Sequence, residues 1–176
     1  ALMTRATSGM KVSQFVLDFT DAFFRAPITP AERKYFVAKY RGKYIVWTRV
    51  PQGSRNGPQI FGRLSALVGR LSQGMFNDAE VRLNIYIDDP IVTLCGEPER
   101  IEKHMSMLIL TWLAFGFALA FKKGQHGPQV DWIGHTVHVD ALRQVTASIK
   151  AEFMEKFKAT TLELNSSNVI GLKPLR

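Results

Sequence analysis

The sequence predicts an α+β fold: a mainly antiparallel sheet with helices packed on one face. Three observations predict it. Short β-prone runs come in neighbouring pairs that read as hairpins, two long stretches carry apolar residues at helical spacing, and the elements follow the order βαββαββαββ rather than strict βαβ units. With 176 residues, 46% apolar and 22% charged, the chain suits one domain with a real core.

Val12 to Asp18 reads as a buried strand. Thr29-Pro30-Ala31-Glu32 carries a helix-start signature, with Thr as N-cap, Pro at the first helical position and Glu reaching back to the cap. Lys34 to Tyr40 and Lys43 to Val50 form a predicted hairpin around Arg41-Gly42. The loop from Pro51 to Pro58 is rich in turn residues, and Pro58 opens a helix to about Gly74 with Ile60, Leu64, Leu67, Val68 and Leu71 on one face. Asn84 to Ile87 and Ile91 to Leu94 make a second hairpin, with Asp88, Asp89 and Pro90 at its tip. Glu97 to about Ala114 is helical, and Ala118 to Lys123 pairs with Val130 to Val139. The tail from Ala147 is amphipathic and weakly specified.

Met105 to Phe121 carries no charge, yet it stands at the short limit for a spanning helix and contains Thr111, Trp112 and Gly116. Ile101, Met105, Leu108 and Trp112 fall at helical spacing, so the stretch reads as a buried helix running into a strand, with no membrane partner. A lone Cys95 excludes a disulfide framework and a Cys-based zinc site, and the amino terminus lacks the build of a signal peptide. An intracellular protein, in cytoplasm or nucleus, is expected. The net charge of +8 is uneven: residues 31–72 hold nine Lys or Arg against Glu32 alone, interleaved with Tyr35, Phe36, Tyr40, Tyr44 and Trp47. A block this one-sided favours a polyanion such as nucleic acid.

Asp88 and Asp89 end an apolar run, and Asp18 ends another. Adjacent carboxylates repel, increasingly as water is excluded, and a divalent cation removes that cost. Three acids at the ends of two strands suit a two-Mg²⁺ phosphoryl-transfer site, because Mg²⁺ takes hard oxygen ligands and keeps some waters.

In order along the chain, Leu17-Asp18-Phe19-Thr20-Asp21-Ala22-Phe23-Phe24, Val50-Pro51-Gln52-Gly53 with Gly57-Pro58 and Phe61, and Tyr86-Ile87-Asp88-Asp89 resemble successive palm motifs of reverse transcriptases. Phe115-Gly116-Phe117, Lys123 and Trp132-Ile133-Gly134-His135 are similar to the later motifs that end the palm. The set covers about residues 12–139 and looks closest to the polymerases of gypsy-like and DIRS-like retrotransposons.

The resemblance implies a polymerase palm with partial fingers and a truncated thumb: residues 1–140 as fingers and palm core, 141–176 as the start of a thumb or connection. It implies RNA-directed DNA synthesis on an RNA or DNA template with a primer, using deoxynucleoside triphosphates and two Mg²⁺ ions, with Mn²⁺ a possible substitute. Asp18, Asp88 and Asp89 would bind metal, with the backbone of Phe19. Asp21, Ala22, Phe23, Gln52 and Gly53 would form the nucleotide site, Phe23 being the aromatic gate that excludes a 2′-hydroxyl and Asp21 acting through its backbone. Lys123 would give a proton to pyrophosphate. His104, His126, His135 and His138 show no ligand spacing and read as surface or packing residues.

Two positions depart from the family pattern. Gly57 stands where the family has Ala or a small hydroxyl residue, and Pro90 directly after Asp89 removes a ladder donor and fixes φ at the hairpin tip. The rival reading, a catalytically silent remnant that binds nucleic acid through the 31–72 block, draws on Pro90 and on sparse fingers. An RNA-templated RNA polymerase fits less well, since such enzymes usually have Gly before the paired acids and no aromatic gate.

Overall fold

The computed structural model describes residues 10–140 and 144–166. Its main sheet has four antiparallel strands in the order β5-β6-β1-β8, from β1 (Lys11–Val16), β5 (Val81–Tyr86), β6 (Asp89–Gly96) and β8 (Gln125–Gly127). The alternation in β1 divides its two faces. Phe15 turns into the main core with Val92 and Leu94 of β6, beneath the helices α1 (Gly57–Gln73) and α2 (Pro98–Ala114). Val16 and Ile91 face the other way, against Val130 of a three-stranded sheet. That second sheet joins β9 (Gln129–Trp132), β10 (His135–Val139) and β11 (Val145–Ile149), followed by α3 (Ala151–Ser166). Helices on one face of an antiparallel sheet are therefore what the sequence predicted.

Two small ribbons complete the frame. β2 (Phe19–Thr20) pairs with β7 (Ala118–Leu119), and β3 (Val37–Tyr40) pairs with β4 (Lys43–Val46). The β3–β4 turn is Arg41-Gly42, both at positive φ (48° and 76°), as a two-residue type I′ hairpin requires. α2 ends in a Schellman motif: the Gly116 N–H donates to Leu113 O, the Phe117 N–H donates to Trp112 O, and Gly116 takes φ 82°. Hence Phe115-Gly116-Phe117 turns the chain from α2 back into β7.

Several expectations are corrected. No α-helix follows Thr29; a single 3₁₀ turn (Arg33–Tyr35) forms instead. The Thr29 hydroxyl donates to Glu32 Oε2 (3.0 Å) rather than capping backbone, while the Ile28 N–H donates to Thr48 O and ties the segment to the strand side. In α1 the core-facing residues are Gly57, Phe61, Ser65, Val68 and Ser72, whereas Ile60, Leu67 and Leu71 are exposed. Small residues bring this helix close to the sheet: a Cβ on Gly69 would meet Ile85 Cδ1 at 3.0 Å. The expected pairing of 118–123 with 130–139 does not form. A 3₁₀ turn (Phe121–Lys123) and β8 intervene, and 129–139 is its own hairpin around Ile133-Gly134. The weakly specified tail holds β11 and α3.

The two departures are accommodated. A Cβ on Gly57 would make ordinary 3.6 Å contacts with Ser54 and Val50, so the position has room for the family's small residues. Only Ile87 and Asp88 form the β5–β6 turn; Asp89 and Pro90 belong to β6. Tyr86↔Asp89 closes this two-residue turn, which makes Ile85↔Pro90 a non-hydrogen-bonded pair. β1 pairs with β6 only as far as Val16↔Ile91, so the fully buried Pro90 breaks no ladder bond.

Candidate functional site

The three acids reach one cleft through three different devices. Asp18 lies between β1 and β2, where its carbonyl accepts the Ala120 N–H (3.0 Å). Asp88 occupies the second turn position, and its carbonyl accepts the Phe19 N–H (3.2 Å), which pins the β5–β6 hairpin to the segment after Asp18. Asp89 opens β6, with its carbonyl accepting the Trp132 indole N–H (3.0 Å). The turn itself is strained: Ile87 takes φ 56°, unfavourable for a β-branched residue, and its packing against the main core holds it there.

The cleft of about 370 Å³ is lined by Asp18, Phe19, Thr20, Asp21, Ala22, Phe23, Gln52, Asp88, Asp89, Ala120 and Lys123. Every residue singled out from the sequence is there except Gly53, which sits in the adjoining turn. That turn closes by a Ser54 N–H bond to Pro51 O (3.2 Å), and Gly53 at φ 84° supplies the positive φ its third position needs. Nothing lies within 4 Å of a Cβ built on Gly53, so the backbone angle, not a close approach, calls for glycine.

Phe19 lends the cleft only its backbone, because its ring is buried against Trp112 (5.4 Å) and Phe117 (4.7 Å). Asp21 is left-handed (φ 52°, ψ 41°), a conformation Asp tolerates, and opens a 3₁₀ turn, Ala22–Arg25. The small Ala22 side chain is buried, while Phe23 is half-buried, edge-on to Phe61 at 5.9 Å, and forms cleft wall. Thr20 and Ala120 line the cleft without having been singled out. Thr20 lies inside the first motif and was legible there; Ala120 enters only because its N–H bonds to Asp18, a pairing that no sequence pattern announces.

Electrostatically the cleft has more negative charge than its cations balance. Lys123 Nζ lies 3.1 Å from Asp18 Oδ2. Burial raises the Asp89 pKa to about 6, helped by the Asp88 charge and by a hydrogen bond and charge from Asp18, with Lys123 opposing. Among the described residues no three His, Cys, Asp or Glu side chains close into a ready-made metal cage. Instead Asp18, Asp88 and Asp89 bring carboxylate oxygens to one cleft, and a divalent cation fits this hard-oxygen donor set by relieving the crowding of charge that raises the Asp89 pKa. Among the four histidines, His104 packs edge-on against Phe76 (5.2 Å) and His126 bonds Ser13 (3.0 Å), as packing and surface roles imply.

Asp89 therefore weakens the metal-free fold. With its folded pKa above the unfolded value, the folded state binds the extra proton between about pH 4 and 6, and stability falls as pH rises through that window. The carboxyl is partly open to water, so screening reduces the effect to about 1 kcal/mol. Asp89→Asn should raise the melting temperature at pH 7 without metal and match wild type near pH 4. Equal melting temperatures at both pH values would contradict the coupling.

The model of the family "Reverse transcriptase (RNA-dependent DNA polymerase)" matches residues 5–137. The Pro-Pol polyprotein of feline foamy virus is 27% identical over 157 residues, covering 89% of this chain and 13% of the polyprotein. That of simian foamy virus type 1 is 31% identical over 141 residues, covering 78% and 11% respectively. The chain thus spans a small part of these relatives. In fold it is similar to a foamy viral protease-reverse transcriptase solved with an RNA/DNA hybrid (TM-score 0.69, 22% identity, 93% of this chain and 20% of that one). No helix among the described residues is long and apolar enough to cross a membrane. With the family model matching well over half of its length, the chain belongs to the reverse transcriptase family.

Proposed function

We propose that this chain carries the active site of an RNA-directed DNA polymerase from a retroelement, extending a primer on an RNA or DNA template with deoxynucleoside triphosphates. The convergence of Asp18, Asp88 and Asp89 with Phe23, Gln52 and Lys123 in one cleft carries the reading. A gypsy-like or DIRS-like origin belongs to the same proposal and rests on the motif spellings alone. So does the division into fingers and palm to residue 140 and thumb or connection beyond.

Asp18, Asp88 and Asp89, with the Phe19 backbone, would hold two Mg²⁺ ions, or Mn²⁺ in their place. Bound there, such ions supply Lewis-acid stabilisation of charge on the phosphoryl group. The protein's own part is positioning and charge. The left-handed Asp21 and buried Ala22 would set the backbone beneath the incoming triphosphate, and Gln52, held by the turn that Gly53 completes, would add to the nucleotide pocket. The Phe23 ring, braced by Phe61, would meet the sugar at C2′ and exclude a hydroxyl there. Lys123 gives a proton to the departing pyrophosphate; its mostly exposed side chain is free to turn from Asp18 to that task.

Primer extension on poly(rA)/oligo(dT), by this chain joined to the flanking segments its polyprotein relatives possess, tests the proposal. The rival silent-remnant reading expects salt-sensitive binding of that template and no extension. In the same assay Phe23→Ala should admit ribonucleotides, raising their use relative to deoxynucleotides by about 10²-fold. Unchanged sugar selection would remove the gate role from Phe23.

A further inference from the structure

The fold sets three cations of the basic block, Lys39, Arg41 and Lys43, on the exposed β3–β4 ribbon. Every residue of β3 and β4 is exposed, and the chain from Arg33 to Phe76 contains no acid to neutralise the cations there. At the end of the ribbon stand two tyrosines, Tyr40 at 59% and Tyr44 at 72% exposure. Each has a cation beside its ring: Arg41 lies 5.2 Å from the Tyr40 centroid and Lys39 lies 5.8 Å from that of Tyr44. Register places Lys39 opposite Tyr44 and Tyr40 opposite Lys43, so the neighbouring pairs point to opposite faces of the ribbon.

We propose that this hairpin binds single-stranded nucleic acid, stacking one base on Tyr40 and another on Tyr44 while Lys39, Arg41 and Lys43 hold the intervening phosphates. An aromatic ring takes any base by its face, and adjacent cations take the backbone. Bases parted to opposite sides of a ribbon must be unstacked from each other, which a single strand allows and a duplex does not. The base of the ribbon is tied to the cleft. The Trp47 N–H donates to Phe36 O, the Trp47 ring stacks on Phe24 at 5.8 Å, and the Val50 N–H donates to Ala26 O. A strand held at the tip is thereby anchored to the turn that carries Phe23, next to Gln52. The template as source of that strand rests on the polymerase reading; the surface itself does not.

Fluorescence anisotropy of the 176-residue chain with oligo(dT), and with a blunt duplex of equal length, tests it. Tyr40→Ala and Tyr44→Ala should each weaken oligo(dT) binding about tenfold. Duplex binding should stay within about twofold, since a duplex offers no free base face. Tyr→Phe at either position should keep the wild-type affinity, and unchanged melting temperatures check that these exposed rings carry no fold. Lys39→Gln, Arg41→Gln and Lys43→Gln should each reduce the log–log salt slope by about 0.7. Alanine variants that keep full oligo(dT) affinity, or lose duplex affinity equally, would overturn the proposal. So would a change of oligomeric state in those variants, which would make the hairpin a protein interface. Failure of primer extension with this binding intact would remove the polymerase reading alone.

Discussion

Trp112→Ala is expected to cost the fold about 3–5 kcal/mol, a large share of the roughly 5–15 kcal/mol by which a domain is stable. Trp112 is fully buried where the helices meet the sheet. Its ring lies 5.9 Å from Phe15 and edge-on to Phe19 at 5.4 Å, and its indole N–H donates to Ser72 Oγ (3.1 Å) on α1. The substitution opens a cavity between β1, α1 and α2 and leaves the Ser72 hydroxyl buried without that donor. Because Phe19 flanks Asp18, the loss should reach the cleft as well as the core. Urea unfolding measures it; a loss under about 1 kcal/mol would show that the site closes up on itself. Trp112→Phe keeps most of the packing and should lose only about 1–2 kcal/mol.

Asp88→Asn is expected to reduce primer extension at least about 10³-fold, the scale on which charge stabilisation acts in phosphoryl transfer. The fold gives the amide no reason to disturb anything else. What Asp88 lends the structure is its carbonyl, which accepts the Phe19 N–H, and that bond is indifferent to the side chain. Removing its charge also relieves the repulsion felt by Asp89, whose pKa should fall from about 6 toward the usual carboxylate range. Stability at neutral pH should hold or rise slightly while extension disappears. Full extension by Asp88→Asn would remove the acids from the chemistry.

How much the sequence disclosed depended on whether a residue's task is local. The β3–β4 turn was legible because Arg41-Gly42 between β-prone runs specifies its own geometry. So was α2, whose apolar residues Ile101, Leu108 and Trp112 at helical spacing are the ones the core takes. The face of α1 was legible only in part. Apolarity rightly pointed to Leu64 and Val68 but also to the exposed Ile60, Leu67 and Leu71, where the core instead takes Ser65 and Ser72, whose hydroxyls find partners in Gly62 O and the Trp112 indole. Thr29-Pro30 has every local mark of a helix start and still makes one 3₁₀ turn, since Ile28 is bonded to Thr48 and β3 begins at Val37. The gathering of Asp18, Asp88, Asp89, Phe23 and Gln52 in one cleft was legible further than the fold, because they stand in the order and spacing of the motifs they resemble. Pro90 shows the limit: in the sequence it threatens the ladder, and only the register reveals that its N–H side faces no partner strand.

That Asp18, Asp88 and Asp89 together hold divalent cations is tested most directly by Mn²⁺ titration of this chain, followed by the loss of the free-ion electron paramagnetic resonance signal. Binding should release protons below about pH 6, weaken as pH falls through that range with the protonation of Asp89, and be lost in Asp18→Asn and Asp89→Asn. Mn²⁺ binding that is unchanged in both variants, or that shows no dependence on pH between about 5 and 7, would contradict it.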